Sequence, residues 1–387
     1  MKKKIVKYLK SKKQLYSLLQ LLFFIKNVKI KAASGLSKKY PLVIQFPITN
    51  KCNSKCVMCN VHKMNPTEEM SSEQLKKMLS SPLFKKVKAV GINGGEPTLN
   101  KSLIQYVEAI LTLPKIKALN IISHGFNQKM LLNDLKEIYI KCKKAKVSFH
   151  VSISLDGVGL VHNNIRGLNV FDITASTIDE INNNKHKYCD SLDVGCTVIK
   201  QNINHLNELS VYAEVKNIDI RYRLGISNKR IESNKLLDDF SILNNEYTQA
   251  GMEFFYSQIG KEKSISRKFK YFSIYYFLKQ KKTKRLLGCF WQENGVTLNH
   301  EGNIYYCAVE SEKIGNLLSD NGESVFFSKE NLQYRKTIID TKCDSCIHDY
   351  SGQPNLSNIL PFLKELFYRN IFSKKYRFLS KINKIGF

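Results

Sequence analysis

The sequence predicts an α/β protein built on a parallel sheet, and three observations carry that expectation. Between residues 42 and 224, six short apolar or β-branched runs read as strands: Leu42–Phe46, Val87–Asn93, Ala118–Ser123, Val147–Leu155, Leu192–Ile199 and Asp219–Leu224. Helical periodicity fills the gaps, notably over Leu103–Leu113, Lys129–Lys141, Ile173–Asn182 and Ile203–Val215. Strands alternating with helices of this length require right-handed crossovers, and hence parallel pairing. Finally, each cluster of chemistry-bearing residues falls just after a predicted strand, where βα units gather their active-site loops.

A chain of 387 residues, 43% of them hydrophobic, buries a sizeable core and accommodates about two domains. Its formal charge of +28 is concentrated at the ends. Residues 1–40 hold twelve lysines and no acidic residue, and residues 364–387 hold five lysines, two arginines and one glutamate. Ten cysteines without a clean secretion signal favour a reducing, cytoplasmic setting and metal binding over disulfides. The N-terminal arm carries an apolar run, Leu15 to Ile25, too short to span a bilayer. It reads either as a helix packed on the sheet with its lysines in solvent, or as a basic interfacial helix on the inner face of an anionic membrane. The stretch from Phe362 to Phe378 repeats that basic, apolar character.

After the first strand come Cys52, Cys56 and Cys59, at C-x3-C-x2-C spacing. Three thiolates so placed cap one face of a soft metal or an iron–sulfur cube, and three ligands leave one of four irons open. A structural zinc loop is the competing reading. Gly94-Gly95-Glu96-Pro97 follows the second strand; paired glycines allow close backbone approach to a ligand. Ser123-His124-Gly125 follows the third, where a hydrogen-bonded loop histidine is expected. The fourth runs into Ser152-Ile153-Ser154-Leu155-Asp156-Gly157, with His162 and Arg166-Gly167 beyond, and alternation puts Ser152, Ser154 and Asp156 on one face. Asn202 follows the fifth strand, where asparagine is also a routine turn residue.

Residues 268–282 interleave lysines with aromatics, expected as an amphipathic helix; no nucleic-acid module is visible and none is expected as a partner. Four more cysteines follow, Cys289, Cys307, Cys343 and Cys346, with Gly302–Cys307 reading as a hairpin; these spacings also suit a zinc ribbon. Cys142 and Cys196 read as packing residues, and Cys189 as either an ordinary loop cysteine or a hydrogen-atom donor.

The cysteine triplet, the Gly-Gly-Glu-Pro element and the Ser-Leu-Asp-Gly…His-x3-Arg-Gly segment together resemble the radical S-adenosylmethionine (SAM) superfamily. The resemblance implies a partial (β/α)6 TIM-type barrel and a 4Fe–4S cluster on Cys52, Cys56 and Cys59. It further implies that SAM chelates the open iron and is split to a 5′-deoxyadenosyl radical, which takes hydrogen from a substrate. Gly94, Gly95, Glu96 and Pro97 would meet the amino group of SAM, and Ser154, Asp156, Arg166 and Asn202 the rest of it. Met58, where an aromatic is usual, and His124 depart from the pattern. The four later cysteines resemble a SPASM or twitch extension, here implying one auxiliary 4Fe–4S cluster ligated by all four, for electron transfer.

The expected organisation is a basic arm (1–40), a radical SAM barrel (41–225), a helical linker (226–285), an auxiliary-cluster extension shaped as a cysteine-rich hairpin and helix (286–350) and a basic tail (351–387). The substrate is expected to be a peptide or protein side chain, or a small or lipid-linked sugar-like molecule. A flavodoxin or ferredoxin is the expected reductant. Outside the enzyme class, the alternative is a non-catalytic iron–sulfur or zinc protein that tethers a partner at a membrane.

Overall fold

The computed structural model describes residues 20–22, 24–26, 34–243, 245–281, 284–348 and 352–368. Most of the basic arm and the tail beyond residue 368 lie outside the described residues. Six strands follow one another in a parallel sheet: β1 (Val43–Pro47), β2 (Ala89–Asn93), β3 (Ala118–Ser123), β4 (Ser148–Ser154), β5 (Ser191–Val198) and β6 (Ile220–Leu224). All six match the sequence expectation to within two residues at either end. β7 (Gly295–Leu298) pairs parallel with β1, and β8 (Asn303–Tyr305) and β9 (Gly315–Asn316) follow antiparallel. The order β6-β5-β4-β3-β2-β1-β7-β8-β9 leaves the barrel open. The segment that carries the later cysteines therefore extends the edge of the same sheet.

Alternation decides what each face buries. Ile44, Phe46, Val90, Ile92, Leu119, Ile121, Phe149 and Val151 are buried and belong to one continuous apolar core. Leu131, Leu135 and Ile138 of helix Gln128–Lys144, and Ile178 and Ile181 of helix Phe171–Asn183, close over that face. Helix Ser72–Leu79 starts at a reciprocal cap: the Ser71 hydroxyl accepts from Gln74 N, and Gln74 Oε1 accepts from Ser71 N. The aromatic–lysine segment is helix Ile265–Lys279, with Phe269, Tyr271, Phe272 and Phe277 buried as expected of an amphipathic helix. Cys142, Cys189 and Cys196 all pack in the core. Burial of Cys189 in that core corrects its reading as a hydrogen-atom donor.

Residues 34–40 lead into β1 across helix Lys329–Lys342, fastened by Arg335. Its guanidinium donates from Nε to Gly35 O at 2.7 Å and from Nη2 to Ser37 O at 2.6 Å, over the rings of Tyr306 and Phe326. Gly35 has φ +75°, and a Cβ there would stand 2.8 Å from Lys336 Cα, so only glycine allows this crossing. Hydrogen bonds to a buried charge are worth roughly 1.5–3 kcal/mol each. Arg335→Leu is therefore expected to lower unfolding stability by about 2–4 kcal/mol. Gln333→Ala, an exposed change two residues away, should stay within about 0.5 kcal/mol in the same denaturant titration.

Candidate functional site

A cavity of about 1290 Å³ runs along the strands, from their first residues Val43, Ala89, Ala118 and Ser148 to the loops at their carboxyl ends. Cys52, Cys56 and Cys59 line it, all carried on the loop after β1. That loop is docked on the last turn of helix Leu160–Arg166, whose terminal carbonyls need donors. Lys55 N and the Ser54 hydroxyl donate to Arg166 O at 3.0 and 3.2 Å, and Val57 N donates to Ile165 O at 3.0 Å. Gly167 ends the helix at φ +69°, and a Cβ on it would lie 2.8 Å from Lys55 O. Met58 packs with Ile165, Ile199 and Phe240 in a small apolar cluster beneath the loop, and also lines the cavity.

Arg166 reaches from that helix to the thiol side. Its Nη1 lies 3.5 Å from Cys56 Sγ, and its Nη2 2.5 Å from Asp156 Oδ2. Burial disfavours its charge, but Asp156 and Cys56 outweigh burial and hold its pKa above the ordinary value. Asp156, itself fully buried, also accepts from Thr197 N through Oδ1 at 2.8 Å, and its own N–H donates to His162 Nδ1 at 3.1 Å. Asn202 is equally buried: Oδ1 accepts from Ile199 N, while Nδ2 donates to Asp156 O and Thr197 O.

The glycine pair closes against the entry to the cysteine loop. Gly95 N and Glu96 N donate to Thr49 O and Lys51 O, each at 2.8 Å. A Cβ on Gly94 would stand 2.5 Å from Thr49 O, and one on Gly95 would strike Lys51 O. Pro97 opens the short turn that follows. Glu96 is buried, with Oε1 accepting from Thr98 and Ser123 and Oε2 from His124 N. His124 accepts from Phe126 N at Nδ1, and its Nε2 lies 2.7 Å from Asn53 Oδ1.

Of the site residues expected from the sequence, Cys52, Cys56, Cys59, Gly94, Gly95, Glu96, Ser154 and Arg166 line this one cavity. Pro97, Asp156 and Asn202 stand behind it and hold its loops. Several lining residues went unnoticed in the sequence: Gln45, Asn120, His150, Arg223 and Arg230 among them. The available signal was polar residues at every second position of otherwise apolar strands, such as Gln45 in β1 and Asn93 in β2.

Cys289, Cys307, Cys343 and Cys346 line a separate small cavity of about 40 Å³. Arg285 staples its two ends, donating from Nε to Leu287 O at 2.8 Å and from Nη1 to Cys346 O at 2.7 Å. Trp291 and His348 line both cavities and so stand between them. Among the described residues, no three His, Cys, Asp or Glu side chains are placed to hold a single metal ion.

The donor sets suit iron–sulfur chemistry, being soft sulfur throughout. Burial pushes the Cys52 and Cys343 thiols up to about 12 and the Cys346 thiol up to about 11, and raises Cys59 and Cys307. Such thiols keep their protons until a metal centre replaces them.

Residues 46–210 match the family model of the radical SAM superfamily. The GTP 3′,8-cyclase of Helicobacter pylori strain HPAG1 is 27% identical over 201 residues, which span 49% of this chain and 57% of that protein. Mycofactocin maturase MftC of Mycolicibacterium smegmatis is 26% identical over 178 residues, 45% of this chain and 42% of that one. The chain thus spans only about half the length of these curated relatives. Among solved structures, native anSMEcpe with bound AdoMet superposes with a TM-score of 0.57 at 19% identity, covering 87% of this chain and all (100%) of that one. SuiB of Streptococcus suis bound to S-adenosylmethionine gives 0.55 at 15%, covering 81% and 73%. At these identities the structural likeness establishes the fold alone.

Two tests follow from the geometry. Asp156→Asn keeps an acceptor for Thr197 N but strips Arg166 of its carboxylate; breaking such a buried pair costs about 3–5 kcal/mol. A large fall in thermal midpoint is expected, with loss of iron retained on gel filtration; unchanged values would remove Arg166 as the prop of the loop. The second test concerns His162, which burial and nearby Arg166 push down from 6.5 to about 3. The unfolded chain therefore binds a proton that the folded chain refuses, and stability falls as pH drops from about 6.5 toward 3. His162→Gln should flatten that acid limb in pH-dependent unfolding.

Proposed function

Because residues 46–210 match the radical SAM superfamily, we propose that the chain carries a 4Fe–4S cluster on Cys52, Cys56 and Cys59, cleaves SAM there and abstracts hydrogen from a substrate in the lumen of the partial barrel. The observation that carries this reading is that the three thiols and the Gly94-Gly95 backbone line one cavity at the carboxyl ends of the strands. The bound cluster and SAM supply a 5′-deoxyadenosyl radical; the protein's own residues position the reactants and keep water out. Gly94 and Gly95 present carbonyl oxygens to the ammonium of SAM, and Ser154 lies along the wall beside it. Arg166 offsets thiolate charge at Cys56, while Asp156 and Asn202 act by fixing the loops that carry these groups.

Cys289, Cys307, Cys343 and Cys346 are assigned to one auxiliary 4Fe–4S cluster that exchanges electrons with the lumen. Two facts support this: the four thiols line a common void, and only Trp291 and His348 are shared between that void and the lumen. The substrate is a peptide side chain or a small or lipid-linked sugar-like molecule, and a flavodoxin or ferredoxin supplies the electron. SuiB binds the precursor peptide SuiA and anSMEcpe the Cp18Cys peptide, and those peptides belong to those proteins.

Among the described residues no helix is long and apolar enough to cross a membrane. A peripheral contact is supported by Leu356, Leu360, Phe367 and Tyr368, which are exposed on the helix over 356–368, and by Leu22 and Ile25 near the lysine-rich N-terminus. Flotation with anionic vesicles should recover the full chain and release it when Leu356, Leu360 and Phe367 become serine; equal recovery would remove the contact.

Anaerobic reconstitution should load about eight irons per chain, with dithionite-driven SAM cleavage. Cys56→Ala should lose about half the iron and all cleavage, and Cys343→Ala about half the iron. Iron at half that level with one zinc would remove the auxiliary redox role. No iron and no 5′-deoxyadenosine would promote the non-catalytic tether instead.

A further inference from the structure

The lumen wall differs sharply from the helix-facing side of the same strands. Gln45, Gly91, Asn93, Asn120, His150 and Ser154 all line the cavity, at positions alternating with the buried apolar ones. Gln45, Gly91, Asn120 and His150 are direct register partners across β1 to β4 and so form one row. The side-chain oxygens of Gln45, Asn93 and Asn120 are buried and accept no hydrogen bond from the described residues. A buried acceptor left unpaired costs roughly 1–3 kcal/mol. Three of them on neighbouring strands point to a ligand that brings hydroxyl or amino donors.

Gly91 sharpens this. Its φ is not in the left-handed region, and a Cβ would meet nothing nearer than Ile44 O at 4.0 Å. The backbone does not require glycine there; its effect is to leave volume in the middle of the polar row.

The wall across the cavity is cationic. Arg221 and Arg223 of β6 line it, with Arg267 and Lys270 of helix Ile265–Lys279, while Arg166 and Arg230 lie toward the cysteine loop. Gly195 of β5 leaves the path along which the Arg223 guanidinium lies. Among the described residues Glu96 is the single carboxylate in the lining, and it is turned toward Thr98, Ser123 and His124. Asp193 pairs with Arg221 and with the lining His150 at 3.0 Å, while Asp219 pairs with Arg221 and Arg267 and Glu262 with Arg267. The cavity, at about 1290 Å³, exceeds the roughly 300–1,000 Å³ usual for one small ligand, leaving room beside SAM.

We propose that the lumen takes a phosphorylated sugar, its hydroxyls donating to the carboxamides of Gln45, Asn93 and Asn120 and its phosphate facing Arg223 and Lys270. This rests on the radical SAM reading of the same cavity and narrows its substrate to a polyhydroxylated phosphate. Guanidinium groups pair with phosphate oxygens in a charge-assisted fork, roughly twice as strong as the neutral bonds an uncharged sugar hydroxyl offers. The phosphate is shared by nucleotide-linked and lipid-linked sugars, and the assay separates them.

The test is anaerobic equilibrium dialysis of the reconstituted holoenzyme with SAM. The probes are glucose 1-phosphate, UDP-glucose, a short-chain polyprenyl diphosphate glucose, glucose, inorganic phosphate and a cysteine-containing peptide. At least one phosphorylated sugar should bind saturably and about tenfold or more tighter than glucose or phosphate alone. Preference for the UDP or the polyprenyl probe identifies the carrier. Gly91→Leu, which fills the row, should weaken that binding about tenfold while iron and sulfide content stay at the wild-type level. Arg223→Met should weaken the phosphorylated probes and leave glucose unaffected. A wild-type enzyme that cleaves SAM yet binds no phosphorylated sugar overturns this inference and leaves the radical SAM reading intact. Tight peptide binding that Gly91→Leu does not disturb also overturns it. Protein that takes up no iron and releases no 5′-deoxyadenosine overturns both.

Discussion

The buried pair of Asp156 and Arg166 is the constraint on which the site depends. Arg166 is the last residue of a seven-residue helix, and its carbonyl and that of Ile165 receive the backbone of the cysteine loop. Its side chain lies against Cys56, and its charge is balanced by Asp156. Asp156 in turn holds Thr197 at the end of β5, and its own backbone is held by His162 and Asn202. Loops after β1, β4 and β5 are thereby fixed to one another by a few buried groups. A buried ion pair adds little net stability against an apolar alternative, but losing one partner is costly. Its value here lies in specifying a single arrangement of three loops.

The second organising feature is the two-sided sheet. Parallel strands normally read as continuous apolar runs because both faces are covered. These strands are apolar toward the helices, whereas toward the lumen Val43, Ala89, Ala118 and Ile122 alternate with polar residues and glycine, and the centre of the barrel is a cavity instead of a packed core. The glycines serve that division in different ways. Gly94 and Gly95 permit close approach to the β1 loop, whereas Gly91 and Gly195 leave space within the lumen or for another side chain. β7 then attaches the later cysteines to the free edge of β1, so the four-thiol void lies next to the lumen with Trp291 and His348 between.

Much of this was legible in the sequence because its causes are local. Hydrophobic periodicity located the first six of the seven parallel strands and the long helices between them, and short spacings located the cysteine triplet, the paired glycines and the Arg-Gly ending of a helix. What was not legible depends on which side chains a closed fold turns toward one another. Asp156 and Asn202 were expected at SAM, since polar residues after a strand look alike whether they face a ligand or a backbone. Only packing distinguishes the two: here the Asn202 carboxamide is held by main-chain partners, and the Asp156 carboxylate by Thr197 N and the Arg166 guanidinium. Gln45 and Asn120 escaped notice because a single polar residue in a short strand carries no motif.

The sequence by itself thus determined the strand–helix order, the close spacing within two cysteine groups and the presence of glycine where backbones must meet. Those properties are set by neighbours along the chain. Tertiary structure alone decided that residues 45, 91, 120 and 150 form one row and that Arg166 reaches Cys56. It also decided that the two cysteine groups flank a shared wall. These relations join residues far apart in the chain, and strand register and crossover handedness, not local propensity, bring them together.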